Sequence, residues 1–211
     1  MTILFEHEIC LQHEMGEDHP ERPDRLRAIQ LALAEKEFAE LERRPAPLAT
    51  PEQIALVHPK SYITRIFDLA PKQGHAQIDS DTTMNSASLE AARRAAGAVC
   101  AAVDAVMADE DKNAFCAIRP PGHHAEPERS MGFCIFSSVA IAACHAMSFY
   151  GMKRLAVVDF DVHHGNGTQA AFSKNPNLFF GSTHQMPLYP GTGAMSEIGV
   201  GNIHNFPLPP G

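Results

Sequence analysis

Apolar positions along the chain fall into blocks whose spacing predicts alternating helices and strands. After the Pro-punctuated stretch HPERPDR, Leu26, Ile29 and Leu33 recur at helical intervals within residues 19–38, so a stiff loop leads into a surface helix. Thr50-Pro51-Glu52-Gln53 combines a capping residue, a first-turn proline and a glutamine at the third position, the marks of a helix start, and a further helix is expected after Pro59. Leu89, Ala92, Ala96, Val99, Val103 and Val106 step by three and four through alanine-rich sequence, which predicts a well-packed helix. Residues 115–118 read as a short strand, RPPGHHAEPERSMGF as a turn-rich loop and 138–149 as helix. A strand over 155–158, a helix near 168–172 and a strand over 178–181 follow. Strand, helix, strand, helix, strand is the order of a parallel α/β sheet, and no repeat or linker interrupts it, so residues 1–211 are expected to form one domain. The final NFPLPPG reads as a Pro-rich loop with no closing element.

Composition narrows the class. With 211 residues, 45% hydrophobic and 20% charged, the chain can bury a real core. A formal charge of −8 argues against direct nucleic-acid binding through phosphate neutralisation. Cys10, Cys100, Cys116, Cys134 and Cys144 are odd in number, scattered and never spaced as C-x-x-C, so neither a disulfide framework nor a cysteine zinc site is expected. The opening MTILFEHEIC has its apolar run broken by Glu6 and is no signal peptide, and the longest apolar run, 95–103, is far short of a membrane span. A cytoplasmic protein that binds no membrane is expected.

The chemistry concentrates in two loops. VVDFDVHHGNGTQ, residues 157–169, brings two carboxylates and two imidazoles to the end of an apolar strand, where such groups are costly to bury without a partner. Alternation places Asp159, Asp161 and His163 on one face, provided extended geometry lasts that far. Asp161 and His163 can then hold one metal ion through oxygen and nitrogen, donors that zinc accepts at about 2.0–2.2 Å, with Asp159 one step behind to orient an imidazole. Loops leaving the C-terminal ends of neighbouring parallel strands share one rim, so the GHH of residues 122–124 is expected to meet them. Taken singly, each of these residues is equally well a cap or a satisfied core group. Two His-His pairs together with two aspartates on converging loops favour a functional site.

RPPGHHA followed by MGFCIF, then VDFDVHHGNGTQ, then STHQ with YPGTG, resembles the zinc-dependent histone deacetylase family, which includes bacterial amidohydrolases and acetylpolyamine deacetylases. The similarity runs in family order from HPERPDR to NFPLPPG. It implies a three-layer α/β/α, arginase-like fold with an eight-stranded parallel sheet, and hydrolysis of an acetylated lysine or small acetylated amine to acetate and free amine. By this resemblance Asp161 and His163 are two of three zinc ligands, iron(II) being the alternative metal. His123 and His124 are the tandem active-site histidines, paired with Asp159 and Asn166 respectively. The asparagine places the chain with the class II and bacterial members, the other branch carrying aspartate there. Zinc would act as a Lewis acid and activate water. His124 would be the general base and proton donor, and His123, held by Asp159, the more readily cationic ring. Gly132 and Phe133, with Tyr189 opposite, resemble the wall of the acyl-lysine tunnel, Asp81 the rim aspartate that binds substrate backbone, and Arg25 the arginine of the exit cavity. The backbone around Asp159, Asp161 and His163, with Ser182 and Thr183, resembles an inner monovalent-cation site, usually potassium. His19, His58, His145, His184 and His204 are expected to be mostly loop or surface groups.

Family members continue past Gly211, and their later part carries the third zinc ligand, an aspartate, and a tyrosine that polarises the acetyl carbonyl. No motif before Gly211 replaces either, so a portion of a longer polypeptide is expected, with an open sheet edge and an uncovered apolar face. The alternatives are an acetylpolyamine hydrolase and a non-catalytic fragment that binds acetylated ligands or a partner subunit. Assembly into a homo-oligomer is left open.

Overall fold

Apolar side chains on both faces of the first strand fix how the layers stack. A computed structural model describes residues 2–211. In chain order its strands are β1 (Ile3–Glu6), β2 (Glu42–Pro45), β3 (His75–Asp79), β4 (Thr82–Asn85), β5 (Ala114–Ala117), β6 (Leu155–Asp159), β7 (Leu178–Gln185) and β8 (Ile203–Leu208). The helices are α1 (Pro23–Ala32), α2 (Pro51–Ile54), α3 (Lys60–Leu69), α4 (Ser88–Met107), α5 (Ser138–Tyr150) and α6 (Asn166–Phe172). On β1, Ile3 and Phe5 pack with Ala98 and Ala105 of α4, while Leu4, pointing the other way, packs with Leu26 of α1. Helix, sheet and helix therefore form three layers around this strand, as expected.

The predicted helices are all present. Thr50 and Gln53 close a reciprocal capping box at the start of α2, and the side chains of Tyr62, Ile63 and Ile66 bury the inner face of α3. A core of Ile54, Tyr62, Ile66, Met84, Phe136 and Ile141 lies between α3, α4 and α5. A second, of Phe172, Leu178, Phe180 and Ile203, joins α6 to the sheet. No helix among the described residues is long and apolar enough to cross a membrane.

The strands depart from expectation in three ways. First, β1, β2, β8 and the antiparallel β3–β4 hairpin lack the long alternating pattern that would announce them, being mostly four to six residues long. NFPL, read as loop, is the end of β8, paired in parallel with β7. Pro207 is tolerated there because β8 has a neighbour on one side only. Second, the parallel strands form two three-stranded sheets, ordered β2–β1–β5 and β6–β7–β8, in place of one eight-stranded sheet. Third, β5 and β6 are both edges, with no strand among the described residues hydrogen-bonded on their outer sides. The face of β6–β7–β8 turned away from α5 and α6 exposes Val158, Phe179 and Phe206, next to Phe160 at 87% exposure, in line with the uncovered apolar face expected above.

Candidate active site

The GHH loop leaves the C-terminal end of β5, and the DVHHGNG segment leaves that of β6. They are tied together where α6 begins: the N–H groups of Gly167 and Thr168 both donate to the His123 carbonyl, at 2.8 and 3.2 Å. Each imidazole of the tandem pair then finds its own partner. His123 Nδ1 lies 2.9 Å from Asp159 Oδ2, and His124 Nδ1 lies 2.8 Å from Asn166 Oδ1. These are the two contacts that the resemblance implies.

The extended geometry does not continue through Asp161 and His163. β6 ends at Asp159, whose Oδ1 accepts from the Asp161 N–H at 3.1 Å, and Asp161 Oδ1 in turn accepts from the His163 N–H at 2.8 Å. Side-chain-to-backbone bonds of this kind turn the chain more tightly than a strand does. The turn still brings Asp161 Oδ1 to 3.2 Å from His163 Nδ1. The His163 ring centre is 5.9 Å from that of His124, which is 4.0 Å from that of His123. The four residues share one cleft of about 500 Å³.

The remaining sequence candidates border the same space. Gly132, Phe133 and Tyr189 all line it; the Tyr189 ring stands edge-on to His124 at 5.0 Å. Gly132 has φ +57° and presses its α-carbon side against the His124 ring, where any added Cβ would lie 2.3 Å from Cδ2. Asp81 reaches the cleft, but its carboxylate is engaged within the protein, accepting from the Gly132 N–H at 3.0 Å and from the Thr82 hydroxyl at 2.7 Å. Arg25 also lines the cleft, 3.7 Å from Glu21. Ser182 sits beside Asp159 in the parallel register of β6 and β7, its hydroxyl 2.9 Å from His184 Nδ1; Thr183 follows it, exposed.

Burial dominates the electrostatics. It pushes His124 down to about 4, assisted by the neighbouring His123, while the Asn166 bond works the other way. His124 is therefore a neutral imidazole near neutral pH. Burial raises the Asp159 carboxyl, but the hydrogen bond and charge of His123 and the Asp161 N–H outweigh it and hold Asp159 below the ordinary carboxylate range. Tyr189 is raised, first by burial and then by the Asp81 charge.

Several polar groups escaped the sequence reading. His58 and His184 are buried, as is His145, although loop or surface positions were expected. Each is spared solvent because it has internal partners: His58 Nδ1 faces the Pro127 carbonyl at 2.9 Å and its Nε2 accepts from the Ser137 N–H at 2.9 Å. His184 bridges Ser182 and the Gly193 carbonyl, and His145 Nε2 lies 2.6 Å from Asp104. Arg119 makes a two-pronged pair with Glu21 at 2.6 and 2.5 Å, both side chains being at most 5% exposed. The acid at position 126, directly after GHHA, bonds to Asn166. Nothing in local spacing distinguishes these residues from surface charges.

The donor chemistry of Asp161 and His163 suits zinc or iron(II), one oxygen and one nitrogen converging on a solvent-connected cleft. Among the described residues no group of three or more His, Cys, Asp or Glu side chains could hold a metal ion, so the residues present fit as two donors of the three usual at a catalytic site.

Comparison with known proteins shows the family. A profile described as the histone deacetylase domain matches residues 19–211. The chain is 41% identical over its full length to a probable deacetylase of Archaeoglobus fulgidus and 36% identical over its full length to a histone deacetylase-like amidohydrolase of Pseudomonas aeruginosa. It covers 60% and 61% of those proteins. It is 44% identical to the chloroplastic histone deacetylase 14 of Arabidopsis thaliana, with 99% of this chain and 54% of that protein aligned. The crystal structure of the HDA15 HD domain superposes with a TM-score of 0.92 at 35% identity, over 98% of this chain and 61% of the other. The chain thus spans between half and two-thirds of the length of these relatives.

Proposed function

The chain belongs to the histone deacetylase family, and from that premise we propose that its cleft serves the hydrolysis of an acetylated amine, a lysine side chain of a protein or peptide or a related small amine, to acetate and the free amine. The observation that carries this reading is the meeting of His123 and His124 with Asp161 and His163 in one cleft of about 500 Å³.

His124 acts as general base and later as proton donor. It is neutral, its Nδ1 is engaged by Asn166, and its other ring nitrogen is left for the reacting groups. His123 and Asp159 form an adjacent pair that supports negative charge developing on the acyl oxygen. Asp161 and His163 contribute an oxygen and a nitrogen to a zinc or iron(II) ion, which when bound supplies Lewis acidity toward the acetyl carbonyl. Gly132, Phe133 and Tyr189 line the part of the cleft that takes the aliphatic stem of the substrate, and Asp81 and Arg25 border the same space. On the same reading the backbone of Asp159, Asp161 and His163, with Ser182 and Thr183, would hold a structural potassium ion; of these, Asp159 and Ser182 are neighbours in the register of β6 and β7. The protein acts in the cytoplasm on this reading.

The test compares the polypeptide carrying this chain with its His124→Ala and Asp161→Asn variants, by turnover of an acetyl-lysine peptide and of acetylputrescine and by metal content. His124→Ala is expected to abolish turnover with metal content nearly unchanged, and Asp161→Asn to lose metal. Turnover retained in His124→Ala overturns the assignment of the base, and the preferred substrate separates a protein deacetylase from a polyamine hydrolase.

A further inference from the structure

The carboxamide of Asn166 could in principle face His124 with either its oxygen or its nitrogen, and the two choices demand opposite proton positions on the imidazole. Its surroundings decide between them. Asn166 is buried, and the end of its side chain away from His124 Nδ1 meets three groups: Glu126 Oε1 at 2.8 Å, Met131 Sδ at 3.3 Å and the His124 carbonyl oxygen at 3.4 Å. A carboxylate, a thioether and a carbonyl all accept and none donates, so the NH2 end must face them. The oxygen is then the atom 2.8 Å from His124 Nδ1, and because an amide oxygen only accepts, Nδ1 must carry the hydrogen. Nε2 keeps its lone pair.

Of the three acceptors Glu126 is the nearest and the only charged one, and a charge-assisted bond is roughly twice as strong as a neutral one. Turning the amide over would set its oxygen against a carboxylate oxygen at the same 2.8 Å. The backbone that carries this carboxylate is fixed by a turn: the Glu126 N–H donates to the Arg129 carbonyl at 2.9 Å, and the Glu126 carbonyl accepts from the Arg129 N–H at 3.3 Å.

We propose that Glu126 is a positioning residue: it fixes the orientation of Asn166 and, through it, the Nδ1–H form of His124, leaving Nε2 as the proton acceptor in the cleft. The consequence for turnover rests on His124 being the base; the consequence for the imidazole rests on the hydrogen-bond geometry alone.

The two consequences are read separately, by nitrogen-15 NMR of the His124 ring at neutral pH and by steady-state kinetics on an acetyl-lysine peptide, in the polypeptide carrying this chain. Glu126→Gln keeps an acceptor toward Asn166, whereas Glu126→Lys replaces it with a donor. Asn166→Asp alone opposes two carboxylates. In the double variant Glu126→Lys/Asn166→Asp the new carboxylate accepts from both the introduced ammonium and the imidazole. The expected result is Nδ1–H in the parent and in Glu126→Gln, a shift toward Nε2–H in Glu126→Lys with kcat lowered about 10- to 100-fold at similar KM, and return of both readouts in the double variant. An unshifted Glu126→Lys ring, or equal damage from Glu126→Gln and Glu126→Lys, overturns the proposal. If Glu126→Lys alone fails to fold, Asn166→Asp with and without it decides: recovery in the double variant supports the proposal and equal impairment overturns it. Tautomer shifts in a protein that never turns over acetyl-lysine would sink the deacetylase reading and leave this inference standing; turnover with no tautomer shift would do the reverse.

Discussion

Replacing Gly132 by alanine tests whether the loop above His124 sets the position of the proposed base. The new Cβ would stand 2.3 Å from His124 Cδ2, 2.5 Å from Cγ and 2.7 Å from Cβ. Carbon atoms pack at about 3.5–4.0 Å, so relief requires a relative displacement of at least about 1.2 Å. Neither side moves freely. The Gly132 N–H is anchored on Asp81 and the imidazole on Asn166, so whichever yields loses a hydrogen bond. The positive φ adds a backbone cost of about 1–2 kcal/mol for any residue with a Cβ. Gly74 supplies the control, for it has φ +66° but nothing within 4 Å of its would-be Cβ. Gly74→Ala should therefore lose only the backbone term in urea unfolding. Gly132→Ala should lose a further 1–3 kcal/mol or so from overpacking, and a misplacement on the order of 1 Å should cost about 10²-fold in kcat. Equal stability and equal turnover in the two variants would refute the contact between loop and base.

Two further predictions concern buried polar groups away from the reacting centre. Burial pushes His58 down to about 4 against the bond to Pro127, so as pH falls from about 6.5 the unfolded chain takes up the proton first; its contribution, about 3 kcal/mol, is full above that range and is lost toward pH 4. His58→Gln should flatten the acid limb of a stability-versus-pH curve by this amount, and an unchanged limb would show that other groups carry it. Arg119→Met removes the two-pronged partner of buried Glu21 and leaves it only the longer contacts to Arg25 and His13, at 3.7 and 3.5 Å, so it should cost about 3–5 kcal/mol in denaturant unfolding, with Glu21→Gln/Arg119→Met regaining part of the loss; a single variant within 1 kcal/mol or so of the parent would mean that these contacts or water replace the guanidinium.

The helices were legible because their signals are local. The capping box at Thr50 and the three-and-four spacing from Leu89 to Val106 each act within a few residues of where they are written. The short strands were not. Glu42–Pro45 reads as four polar or constrained residues, and it is a strand only because Ile3–Glu6 offers it a parallel partner about forty positions away. IHNFPL hides its strand behind a proline that only a one-sided pairing permits. Strand identity in such segments lies in the partner, so no window along the chain contains it.

The site divides along the same line. Asp159, Asp161, His163 and the tandem histidines stand within two short motifs, and loops that leave neighbouring strand ends bring His123 and His124 to Asp161 and His163; the alternation expected through 163 does not hold, because a turn replaces the extended backbone after Asp159. What the motifs do not contain is the polarity of each contact. Asn166 is neutral and symmetric in outline, so whether it presents oxygen or nitrogen to His124 depends on Glu126, forty positions earlier in the chain, and on the turn that holds it. A carboxylate at 166 would have needed no such help, because it accepts from either oxygen. The amide therefore transfers part of the control of the proposed base to a residue outside the reacting cluster, and the variants that exchange charge between 126 and 166 are the ones that separate this control from simple packing.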